Sequence, residues 1–147
     1  MNVVQRHRFL RRAYREHGYY FREAAMLTIA IGFFLHLFRV VFGDEATLHY
    51  VVTQATDMVL MVPMTYAAIA GIASYRRMVF VNRVHKAALT AVLGYITVSV
   101  PLHIYVTLMM SDVSFYVHMA GSWFSYLLLI GVYPMFLTTL AKLKYEE

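Results

Sequence analysis

Four histidines, His36, His49, His103 and His118, lie inside or at the rim of long apolar runs of the chain. An ionisable group among apolar residues is costly unless it is hydrogen-bonded, paired or bound to a metal, and inside a membrane it marks function by default. Two neutral imidazoles facing one another from different helices are what a bis-histidine haem b requires. The iron takes them as axial ligands, and the flat macrocycle fills an apolar slot between helices. At a rise of about 1.5 Å per residue, His36 lies about 9 Å and His103 about 10 Å from the same end of their runs. This matched depth makes His36 and His103 the candidate metal ligands. His118, about 6 Å deep on that scale, and His49, at the rim, are alternative ligands or hydrogen-bond partners for a quinone.

Neighbouring residues suit the same chemistry. Arg39 stands three residues outward from His36, one turn along a helix, where a guanidinium pairs with haem propionates. Asp57, about 13 Å deep in its own run, is a candidate proton relay. Gly32 precedes His36 by a turn, Ser99 and Thr107 bracket His103, and Gly121, Ser122 and Ser125 follow His118. Small side chains of this kind make room for a ring, but they also occur wherever membrane helices pack closely. The histidines can equally serve as polar packing between helices, with Arg39 snorkelling to headgroups. Copper is a further alternative. Met109, Met110 and Met119 lie near His103 and His118, and thioether plus imidazole suits Cu(I), although Met is also an ordinary apolar filler. His7, His17 and His85 are expected on the surface, the first two in a basic arm and the third in a basic loop.

The elements that must position these side chains are four apolar runs, roughly Ala24 to Phe42, Leu48 to Ala73, Ala87 to Met110 and Ser114 to Ala141. Each reaches the approximately 20 residues that carry a helix across a bilayer core. Pro63, Pro101 and Pro134 fall inside runs and are expected to kink them. The chain of 147 residues is 61% hydrophobic and 14% charged. Soluble domains carry about 25% charged residues, so this chain lacks the polar surface to cover itself in water. Short connections over residues 43–47, 74–86 and 111–113 impose antiparallel neighbours. The expected fold is all-α, a four-helix transmembrane up-down bundle over residues 24–147, preceded by a basic interfacial arm over residues 1–23.

Twelve of the thirteen Lys and Arg residues fall in the arm, the middle connection and the tail. The other two connections hold Asp44, Glu45 and Asp112 and neither Lys nor Arg. The positive-inside rule therefore puts both termini in the cytoplasm of a cell whose inner membrane, bacterial or archaeal, holds the chain. Arg39 is the one cation on the outer side. Although the net charge is +5, the cations flank apolar spans and line no aromatic groove, so membrane lipids and not nucleic acid are the expected partner. There is no cysteine, which excludes thiolate chemistry. Phosphate-binding glycine loops, HExxH and nucleophile elbows are also missing.

Four spans with opposed His36 and His103 resemble, in architecture, small four-helix b-type cytochromes and the membrane anchor subunits of respiratory oxidoreductases. A two-haem arrangement would want a second histidine pair on the cytoplasmic side, and His85 has no partner histidine there. The resemblance implies a single outer haem b exchanging electrons with quinone, in an electron-transfer subunit of a membrane oxidoreductase. A chain with almost no extramembrane domain is expected to work beside other membrane subunits. The alternative is a cofactor-free accessory subunit of such a complex, or a small copper-binding membrane protein.

Overall fold

A computed structural model describes residues 12, 16–17, 20–41, 46–109 and 123–146, with the backbone alone at 39, 46–57 and 106–109. The described residues are mostly helical, in four helices long and apolar enough to cross a membrane. We number them α1 (Phe21–Val41), α2 (Ala46–Ser74), α3 (Arg83–Met109) and α4 (Trp123–Ala141). Each is apolar around most of its circumference, and no more than 39% of any span is buried inside the chain. The remaining surface, with Phe34, Val62, Val98 and Ile130 well exposed, suits contact with lipid and is consistent with an integral membrane protein.

Polar side chains within these helices are mostly satisfied close to home. Thr28, Ser74, Thr90, Thr97 and Thr139 each donate to the carbonyl four residues earlier, at 2.7–2.9 Å. That bond hides a hydroxyl without a second helix, which is how Ser and Thr enter an apolar span cheaply. Asn82 opens α3 as its N-cap, its Oδ1 accepting the His85 N–H at 2.8 Å. As a result α3 begins four residues before the apolar run that announced it.

The helices pack in a ring in which α1 touches α2 and α4, and α3 touches the same two. A core of Phe21, Ala25, Ile29, Leu60, Met64, Leu89, Val92, Ile96, Phe136 and Leu140 fills the middle. Close approach at one end depends on Gly71. A Cβ there would stand 2.5 Å from Leu93 Cδ1 and 2.8 Å from the ring of Phe21, which is itself fully buried. Gly71→Ala is therefore expected to cost about 1–3 kcal/mol, the usual cost of overpacking. Thermal unfolding in detergent, followed by helical circular dichroism, measures it, and an unchanged midpoint would mean that both neighbours yield freely.

Two elements have no counterpart in the apolar pattern. A 3₁₀ turn, Tyr75–Arg77, leads from α2 into strand β1 (Met78–Val79). This pairs antiparallel with β2 (Lys144–Tyr145) of the tail, Met78 opposite Tyr145 and Val79 opposite Lys144. The Glu146 N–H donates to the Arg77 carbonyl at 2.9 Å and extends the ladder. Met78 and Leu143 are buried beside the pair. The Tyr145 phenol lies against Ser74 and the backbone of Arg22, and burial, the largest influence on it, pushes its pKa up to about 12. This clasp ties the start of α1 and the end of α2 to the tail.

His85, expected on the surface of the basic loop, is 7% exposed. Its Nδ1 accepts from the Val81 N–H at 3.1 Å, so the hydrogen sits on Nε2, which donates to the Thr139 carbonyl at 3.1 Å. Charge density around a residue did not reveal that its own ring fixes a turn and joins α3 to α4.

Candidate functional site

Three helices carry polar or small residues toward one cleft at regular spacing. Thr28, Gly32 and His36 recur every four residues on α1, and Tyr95, Ser99 and His103 do so on α3. Residues four apart share a helix face, so each set forms a seam. On α4 the corresponding residues are Ser125 and Tyr133, eight apart like Thr28 and His36 or Tyr95 and His103, an offset of about 80° in a regular α-helix. Here the turn Leu128–Val132 is π-helical. A wide turn of this kind absorbs one residue, so the separation acts as seven and the two buried side chains lie closer to one line than the eight-residue pairs on α1 and α3 do. Pro134 gives a local reason for the wide turn. It has no N–H to offer the carbonyl four residues back, and its ring crowds that carbonyl.

The cleft is lined by Thr28, Ile29, Gly32, Leu35, His36, Leu60, Met64, Tyr95, His103 and Tyr133. His36 and His103, the two candidate ligands, thus border one space from helices at opposite corners of the ring. The cleft encloses about 330 Å³ of empty space, part of it open to the surroundings. As the side chains stand, its closed part has room for about one water molecule.

Hydrogen bonds set the orientation of both imidazoles. His103 Nδ1 lies 2.7 Å from the Ser99 carbonyl, which can only accept, so Nδ1 carries the hydrogen. In the neutral ring the lone pair then falls on Nε2, the nitrogen a metal takes. A backbone carbonyl holding the other ring nitrogen is the usual outer-shell partner of a metal-binding histidine. His36 Nδ1 lies 3.2 Å from the hydroxyl of Ser125, which is fully buried, while His36 itself is 8% exposed. Tyr133 stacks obliquely on the His36 ring, with centroids 5.8 Å apart. Its hydroxyl shares a 2.8 Å hydrogen bond with that of Tyr95. Gly32 leaves room for this pair, since a Cβ there would come within 3.3 Å of the Tyr133 oxygen.

Tyr95 and Tyr133 escaped the sequence reading because tyrosine is frequent in the chain, with twelve in all. The four-residue spacing of Tyr95, Ser99 and His103 was the available signal. For Tyr133 there was none, because Leu129 stands midway between it and Ser125 and breaks the series of polar and small residues. Arg39, His49 and Asp57 lie on α1 and α2, but their side chains are outside the described residues, as is the whole of His118. The side chains of Met109, Met110 and Met119, on which the copper alternative rests, are outside them too. Among the described residues no three His, Asp or Glu side chains gather as a metal-binding group. A two-histidine axial pair needs no third. No protein-family model, no curated protein and no solved structure matches the chain.

Proposed function

We propose that the chain is an electron-transfer subunit of a membrane redox complex, with a single b-type haem between His36 and His103. It would be an up-down four-helix bundle with both termini on the cytoplasmic side of a bacterial or archaeal inner membrane. The observation that carries the reading is the meeting of His36 and His103 at one apolar cleft from diagonally placed helices, with the His103 tautomer set for ligation. The donor set suits haem iron. For a macrocycle to enter, Leu60 and Met64, which line the cleft, must turn aside, and the unbranched Met side chain does so readily.

A haem bound there supplies one-electron chemistry. The protein's part is to hold the two imidazoles, through the Ser99 carbonyl and the Ser125 hydroxyl, and to keep water away with Ile29, Leu35 and Leu60. Tyr133, against the His36 ring, limits how that ring can turn. Arg39, one turn beyond His36, is the proposed propionate partner. Asp57 is the proposed proton relay to a quinone, with His49 or His118 as its hydrogen-bond partner. Other membrane subunits complete the complex.

A second reading has its own support. Both imidazoles already bond to protein groups, which is how polar packing in a cofactor-free accessory subunit would look. One spectrum separates the two. Purified protein, reduced minus oxidised, is expected to give the sharp α band of low-spin b-type haem. A colourless preparation that stays colourless after haem is added would sink the first reading and leave the accessory subunit.

A further inference from the structure

The clasp assembles a surface that neither of its segments forms alone. Arg76, Arg77, Arg83 and Lys86 come from the connection between α2 and α3, and Lys142 and Lys144 come from the tail. Pairing of β1 with β2 puts Lys144 opposite Val79, and the Arg77 carbonyl accepts from Glu146. The bond from His85 to the Thr139 carbonyl brings the first turn of α3 to the end of α4. Six cations therefore share one end of the helices. Glu23 nearby is already engaged by Arg22 at 2.6 Å. Among the described residues the other carboxylates are Glu16, engaged by Arg12 at 2.9 Å, and Glu146, too few to balance the surface.

Apolar side chains are set among these cations. Val81 is 67% and Val84 76% exposed, and Val79 is also exposed. The turn that presents them is held firmly, by the Val81 N–H on His85 Nδ1 and the His85 N–H on Asn82 Oδ1. Lys86 is drawn over the Phe80 ring, 5.5 Å from its centroid. An acidic soluble peptide would match the charges and leave the valines in water. The boundary between headgroups and acyl chains matches both.

We infer that the clasped end is an interfacial platform for anionic phospholipid. Headgroup phosphates meet Arg76, Arg83, Lys86, Lys142 and Lys144, all exposed, and Val81 and Val84 enter the acyl boundary. The inference rests on the four helices being membrane spans and is independent of any cofactor.

Native mass spectrometry of the full-length protein, released from detergent with equimolar phosphatidylglycerol and phosphatidylcholine, tests it. The wild type is expected to retain phosphatidylglycerol over phosphatidylcholine by tenfold or more at low salt, since each cation near the surface contributes up to about fivefold before screening. Arg76→Gln/Arg83→Gln/Lys86→Gln, all exposed positions, should bring that ratio below about threefold. Lys142→Gln/Lys144→Gln should lower it as well. Val81→Asn/Val84→Asn should reduce retention of both lipids with every cation in place. Inorganic phosphate should compete no better than chloride at equal ionic strength. Equal retention of the two lipids by the wild type, or a triple variant like the wild type, would overturn the platform. Displacement by phosphate beyond the ionic-strength effect would overturn it in favour of a soluble-anion site. A protein that retains no lipid and stays dispersed without detergent would instead remove the membrane reading beneath it.

Discussion

His36→Ala and His103→Ala are each expected to abolish the low-spin b-type spectrum that the proposed haem would give, while His17→Ala leaves it unchanged. His36 and His103 would be the two residues that hold the iron, so losing either should remove the ligand set a low-spin spectrum requires or leave haem unbound. The loss should therefore be all but complete in both variants. His17 gives a fair control, because it lies outside the cleft with its Nδ1 2.9 Å from the Tyr66 hydroxyl. Ser125→Ala should act more gently. It removes the partner of His36 Nδ1 and spares the ligand, and outer-shell losses of this kind typically weaken binding by about 10–100-fold. Haem titration of the apoprotein gives the affinities, and helical circular dichroism confirms that each variant is folded. A low-spin spectrum retained in both alanine variants would refute this choice of ligands, whatever else the protein binds.

The matching depth of His36 and His103 could be read because both spans have clear ends and a helix rises by a fixed amount per residue. Counting residues therefore gives both imidazoles one expected depth, and the structure sets both at the border of one cleft. Direction around the helix was harder to read. Thr28, Gly32 and His36 announce a face by their spacing, but between Ser125 and Tyr133 the midway residue is Leu129, so no polar or small series marks that face, and the π turn before Pro134 shifts it further. A proline signals that a helix is disturbed, not whether the disturbance is a kink or a wide turn. His85 was misjudged for a related reason. Its basic neighbours point to water, yet a ring between a turn N–H and a helix-end carbonyl is buried by geometry that no neighbour encodes. The clasp was hidden because each of its strands is two residues long, too short for alternation to be visible.

Leu143→Ala is expected to be among the most destabilising substitutions in the chain, at about 2–5 kcal/mol. Leu143 is 1% exposed and sits in the core cluster with Leu140 and Met78. Its N–H donates to the Leu140 carbonyl at 3.0 Å, which turns the tail out of α4 and toward β1. Losing the isobutyl group leaves a void where the tail seats, and the strand pair of two residues each cannot hold the tail by itself. Tyr145→Phe separates packing from polarity: the ring stays and the hydroxyl goes, so the cost should be nearer 1 kcal/mol. The phenol also gives the clasp a pH signature. Its folded pKa is raised to about 12 from the ordinary 10.0, so the fold favours the neutral form. The stability it contributes is fully present below about pH 10 and is lost as pH rises through about 12. In that window the wild type should accordingly lose thermal stability relative to Tyr145→Phe, which has no phenol to ionise, and limited proteolysis should begin to cut the wild-type tail there. In Leu143→Ala the tail should be cut already at neutral pH. A tail that remains protected in that variant, with an unchanged unfolding midpoint, would show that β1 and β2 pair without the core beneath them.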